Sequence, residues 1–152
     1  MPKAPHPQDV AVLSSCKLGL VYLTANDWML IADKATRLKF KAGDTIIEQG
    51  RRTHGVYVLL KGKASVQIPQ EPKPAVIPGE VCGEISFLDE LPATANVVAD
   101  EAVEALYLDR PMLQALFEMY PHMGSRFYHS LAASLARRLR GSIAQATLAK
   151  KV

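Results

Sequence analysis

The sequence predicts an α+β fold: an eight-stranded β-roll of jelly-roll type, flanked by an N-terminal helix and by C-terminal helices. Three observations carry that expectation. From Leu38 to Leu108 the apolar residues come in short runs or alternate with polar ones, the pattern of strands. Glycine turns such as Ala42-Gly43-Asp44, Lys61-Gly62 and Pro78-Gly79 punctuate these short runs, which suits a rolled or sandwiched sheet. On either side of this region the apolar spacing becomes helical. A chain of 152 residues is long enough for one such domain.

The elements follow in order. The first seven residues, MPKAPHP, hold three prolines and read as a loose lead-in, with a short helix expected near Val10 to Leu18. Residues 1–19 form this segment, residues 20–140 the domain and residues 141–152 a tail. Thr24 is suited to cap a helix, and Asp27 three residues on can return the hydrogen bond. Trp28, Leu30, Ile31 and Ala35 then share a face, and the helix should end near Ala35 or Thr36. Strands are expected at Leu38–Phe40, Thr45–Ile47, Val56–Leu60, Lys63–Ile68, Ala75–Ile77, Val97–Ala99 and Ala105–Leu108. Between Pro69 and Pro74 three prolines fall in six residues, which demands a loop.

Asp109 is placed to cap the next helix, with Pro111 harmless in its first turn. Leu113, Leu116, Phe117 and Tyr120 supply its apolar face, and Pro121 breaks it. A longer helix is expected from Ser125, with Phe127, Leu131, Leu135 and Leu139 at every fourth position. Arg137, Arg138 and Arg140 lie off that stripe. They read as a solvated basic face, or else as part of a helix that packs on a partner or closes over a ligand.

Composition excludes several classes. Nearly half the residues are hydrophobic and 22% are charged, so the chain is not a disordered one. A net charge of +3 is too small to argue for nucleic acid by itself. No apolar run reaches the roughly 18 residues of a membrane span, and no signal-peptide core is present, so a cytoplasmic address is expected. Cys16 and Cys82 lack metal-ligand spacing and read as buried thiols. The histidines form no zinc motif. No nucleophile motif, phosphate-loop motif or metalloprotease motif occurs, so the chain is not expected to be an enzyme.

The stretch with most chemistry in it runs from Gly83 to Ala102, GEISFLDELPATANVVADEA. A glycine, a short candidate helix, a proline and small residues suit an anion cradle. Yet from Pro74 to Asp109 there are eight acidic residues and no Lys, Arg or His.

The order of elements and the landmarks Ala42-Gly43-Asp44, Gln49-Gly50, Gly55-Val56-Tyr57-Val58, Lys61-Gly62 and Pro78-Gly79-Glu80 resemble the cyclic-nucleotide-binding domain family. The resemblance covers roughly Leu20 to Arg140. Its most specific part is the phosphate-binding cassette, where Gly83-Glu84-Ile85-Ser86, Pro92, Ala95 and Val97 fall into the family pattern. The resemblance implies that Glu84 grips a ribose hydroxyl and that backbone amides of Ile85 to Leu88 hold a phosphate. Gly83, Glu84, Ile85, Ser86, Ala93, Thr94 and Ala95 are then the candidate ligand-binding residues. It implies cAMP or cGMP as the ligand, no other cofactor, and C-terminal helices that move when ligand docks.

One departure is sharp. After Pro92 the family places an arginine and this chain has Ala93; the family's usual threonine is Asn96. A guanidinium fork binds two phosphate oxygens at once, and losing such a buried pair costs about 2–5 kcal/mol, roughly 30- to several-thousand-fold in affinity. Cyclic nucleotide binding is therefore expected to be weak, altered or lost, with function through protein contacts or a less anionic ligand. The alternative is a working cAMP or cGMP sensor that uses backbone amides and a cation from Arg51, Arg52, Lys61, Lys63 or Arg126. A protein partner would meet the C-terminal helices. The dozen residues after the long helix are too few for a two-helix DNA reader, so this chain alone is not expected to bind DNA. The oligomeric state stays open.

Overall fold

A computed structural model describes residues 7–68 and 74–150. Two helices open the chain, α1 (Pro7–Ser15) and α2 (Ala25–Lys34). Five strands follow: β1 (Thr36–Phe40), β2 (Thr45–Ile47), β3 (Gly55–Lys61), β4 (Ala64–Gln67) and β5 (Ala75–Val76). Then come β6 (Val81–Cys82), the short helix α3 (Glu84–Asp89), β7 (Asn96–Ala99) and β8 (Val103–Asp109). Two helices close it, α4 (Arg110–Met119) and α5 (Pro121–Lys150).

The strands form two antiparallel four-stranded sheets, ordered β1-β8-β3-β6 and β2-β7-β4-β5. Register explains why the first sheet is apolar on both faces. Along β3, Val56, Val58 and Leu60 point to the helices, while Leu59 points into the roll; along β8, Leu106 and Leu108 face the helices, and Val103 and Ala105 the roll. The helix-side core adds Trp28, Ile31, Leu113, Phe127 and Leu131, all fully buried. The roll core is a separate cluster that includes Ile47, Leu59, Val76 and Val97. A strand buried on both sides needs an unbroken apolar run, and VYVLL of β3 is one.

The α+β roll matches the expectation, as does the cap of α2. Thr24 Oγ1 accepts from the Asp27 N–H, and the Asp27 carboxylate accepts from the Thr24 N–H, both at 3.0 Å. Asp109 caps α4 through Met112 N–H at 2.9 Å. Four details differ. The first helix spans Pro7–Ser15 rather than Val10–Leu18. The strand β6 had no sequence signal, because two residues cannot show a period. Cys16 is only partly buried, whereas Cys82 is buried. The long helix begins at Pro121, not Ser125. Proline lacks only an N–H that the first helical turn leaves unused, so it starts α5 where it had been expected merely to end α4.

The stripe on α5 also differs. A step of four residues advances about 400° around a helix, so a residue-by-four stripe drifts about 40° per step. Phe127 and Leu131 are buried, Leu135 is partly buried and Leu139 is 61% exposed. The buried face instead follows Met123, Phe127, Ser130, Leu131 and Ser134, and the exposed Arg138 lies one turn beyond Ser134. Residues 141–150 continue α5 without a break, and the side chains described there are exposed. The Pro69–Pro74 loop and the lead-in fall almost wholly outside the described residues. Among the described residues no helix is long and apolar enough to cross a membrane.

Candidate ligand-binding site

Helix α3 is set by two left-handed residues. Gly83 enters it at φ 85° and Glu90 leaves it at φ 60°. Gly83 is suited to its place twice over: the conformation favours glycine, and a Cβ there would stand 3.1 Å from Ile47 Cδ1. The helix then presents Glu84, 2% exposed, to the inside of the roll. On the opposite wall the segment after Pro92 is pinned to the β2–β3 loop. Gly50 N–H donates to Ala93 O and Ala93 N–H donates to Arg51 O, each at 2.8 Å.

Between these walls lies a cavity of about 90 Å³. All seven candidate residues line it: Gly83, Glu84, Ile85, Ser86, Ala93, Thr94 and Ala95. The remaining lining is apolar, from Ile47, Val66, Val76, Cys82 and Val97, with one exception, Arg138. The volume is small beside the roughly 300 Å³ at the lower end of ligand pockets. The amide of Phe87 is not available as expected, since it donates to Gly83 O at 3.2 Å inside α3. The free amides of a first helical turn here belong to Glu84, Ile85 and Ser86.

Arg138 stays 42% exposed, yet it is not merely solvated. It reaches from α5 to form an ion pair with Glu84 Oε1, and its Nη2 donates to Val81 O at 3.0 Å. None of the five cations considered from the sequence lines this cavity. Arg126 is bidentate to Asp27 at 2.6 and 2.7 Å, Arg51 pairs with Glu48 at 2.9 Å and Lys61 lies 3.8 Å from Glu104.

The electrostatics follow from burial. Burial pushes the Glu84 carboxyl above its ordinary range, and the Arg138 guanidinium pulls it partway back. Glu80, 9% exposed beneath α5, is also pushed up by burial, against the pull of Arg138. Burial holds the Cys82 thiol at about 12, so it stays protonated and inert. Asp27 moves the other way: its hydrogen bonds to Arg126 hold it low, against burial.

The cassette is wired to α5 a second time through aromatic rings. Phe87 of α3 meets Phe127 edge-on at 5.9 Å and Tyr128 at 6.2 Å. The helix α5 is in turn tied to the N-terminal segment. Tyr22 N–H donates to Ser130 Oγ at 3.0 Å, and Tyr22 stacks on His129 at 3.8 Å.

Comparison with known proteins agrees with this geometry. Residues 37–120 match the family model described as a cyclic nucleotide-binding domain. Cyclic GMP-binding protein C of Dictyostelium discoideum is 28% identical over 123 residues, 78% of this chain and 5% of that protein. The Cyclic AMP receptor protein of Thermus thermophilus is 38% identical over 109 residues, 68% of this chain and 49% of that protein. The chain thus spans half or less of the length of these relatives. A cyclic nucleotide-binding domain from Methylobacillus flagellatus superposes with a TM-score of 0.76 at 19% identity, over 91% of this chain and 80% of that one. A roll of eight strands, a buried glutamate at the foot of a cassette helix and a family match over more than half its length place this chain in the cyclic nucleotide-binding domain family.

Proposed function

We propose that this domain is a regulatory module whose cassette binds cyclic nucleotides only weakly and reports occupancy through α5. One observation carries this reading: the one cation that lines the cavity among the described residues, Arg138, is already committed to Glu84 and to Val81 O, while Ala93 offers only a methyl group where an arginine would meet phosphate. A cyclic nucleotide entering here would have to displace Arg138 from Glu84 to place its ribose, and would still find no guanidinium beside its phosphate. Ligand entry and α5 position are therefore coupled, directly through Arg138 and indirectly through Phe87 and Phe127.

Calorimetry with cAMP and cGMP tests the proposal. The expected result is no resolvable heat below about 100 μM ligand, the consequence of a 2–5 kcal/mol loss from a micromolar site. A low-micromolar isotherm would sink it. Ala93→Arg should then gain roughly 30-fold or more in affinity.

A second reading is favoured by the same arginine. Arg138 could leave Glu84 and serve as the substitute phosphate cation of a working cAMP or cGMP sensor. The two readings part on Arg138→Gln. A substitute cation predicts that the variant loses nucleotide binding; a counter-ion of Glu84 predicts that binding is unchanged or improved.

A further inference from the structure

Besides the cassette cavity there is a second cleft, of about 70 Å³, lined by Arg52, Thr53, His54, Ser86, Glu90 and Arg110. We propose that this cleft is a binding site for a small phosphate-type oxyanion, distinct from the cassette cavity.

Four observations converge. Among the described residues neither Arg52 nor Arg110 has a carboxylate partner within ion-pair distance. Two unpaired guanidinium groups sharing one cleft repel each other and attract an anion. Arg110 is held in place. It donates to Phe87 O, its guanidinium carbon lies 4.1 Å from the Phe87 ring centroid, and its backbone N–H donates to His54 O at 2.8 Å. Thr53 Oγ1 is buried without a hydrogen-bond partner, an uncommon state for a hydroxyl in a folded protein. The cleft has room for several water-sized groups, the scale of a tetrahedral four-oxygen anion.

Charge favours the same class of ligand. Two guanidinium groups stand against the one carboxylate of Glu90, which is exposed at the rim. Arginine forks match the paired oxygens of phosphate. The site is also placed to matter. Ser86 lines both this cleft and the cassette cavity, so an anion here would bear on the position of α3.

The test is a nitrogen–proton NMR titration of the full chain with inorganic phosphate, at fixed pH and with ionic strength held constant by chloride. The expected result is saturable shifts of the amides of residues 52–54, 86 and 110, matched by sulfate and not by acetate. Arg52→Gln should weaken the dissociation constant at least tenfold. Arg52 is exposed and outside both cores, so this variant should fold as the parent does. Glu90→Gln should tighten binding several-fold by removing the opposing charge. Shifts that rise linearly without saturation, or an Arg52→Gln titration that overlays the parent, would overturn the proposal.

Discussion

Replacing Arg138 with glutamine removes the counter-ion of a carboxylate that is 2% exposed. Left alone, Glu84 avoids being a bare buried charge by taking up a proton. The free energy of protonating a glutamate of ordinary value 4.5 at pH 7 is 2.5 units at about 1.36 kcal/mol each, or about 3.4 kcal/mol. That is a ceiling on the penalty. Arg138 is 42% exposed, so solvent already screens part of the native pair, and about 1–3 kcal/mol is expected. In a chain of this size that lowers the melting temperature by roughly 3–10 °C at pH 7. The pH dependence is the sharper signature. A carboxyl whose folded value is raised stabilises the fold fully below its unfolded value and loses that contribution as pH rises through the folded value. Arg138→Gln raises Glu84 further, and Glu80 with it, so the loss deepens from pH 4.5 upward and shrinks below about 1 kcal/mol at pH 5. Differential scanning calorimetry of parent and variant from pH 4.5 to 8 reads this directly. The double variant Glu84→Gln, Arg138→Gln should recover much of the stability lost at pH 7, because the buried carboxyl of Glu84 is then gone and only Glu80 still lacks the pull of Arg138. A pH-independent loss in the single variant, or a double variant no more stable, would refute the reasoning.

Thr24→Ala removes the oxygen that caps α2 and should cost about 1 kcal/mol, seen as a fall of about 2–4 °C in melting temperature. Asp27 is held low by Arg126, so its contribution is present above its ordinary value of 3.8 and fades as pH falls through the folded value; Asp27→Asn should flatten the acid limb of the stability curve. Phe87→Ala empties the contact between α3 and α5 and should cost about 3–5 kcal/mol, with unfolding by chemical denaturant as the readout. Gly83→Ala forces a side chain into the left-handed region and toward Ile47, and should destabilise by about 1–3 kcal/mol in the same assay.

Local signals were legible because their determinants are local. The cap pair Thr24 and Asp27, the N-cap Asp109 and the glycine at the foot of the cassette each act within a few residues, and the structure places them as the sequence reads. The seven cassette residues converge on one cavity for a similar reason: they lie in two short segments whose turns fix their direction. Three features were hidden. The strand β6 exists only because Tyr57 and Val58 offer it partners across the sheet. The start of α5 turned on whether Pro121 ends one helix or begins another, and the same residue type does both. The pairing of Arg138 was hidden because a stripe taken at every fourth residue leaves Arg138 off the buried face. The trace of the helix's proper phase was present in Ser130 and Ser134, small residues that lead from Phe127 toward Arg138 along the buried side. What no periodicity could supply was the partner, since Glu84 lies 54 residues earlier in the chain.

The reach of α5 past its anchoring arginine has a mechanical consequence. From Arg138 to Lys150 the helix extends 12 residues, about 18 Å at 1.5 Å per residue. The fulcrum is inside the domain and the free arm is outside it. A tilt of about 10° at the fulcrum, too small to disturb the roll, swings the far end by about 3 Å. If α5 pivots there as proposed, a sub-ångström adjustment at a buried carboxylate would be magnified into a displacement large enough for a neighbouring molecule to feel.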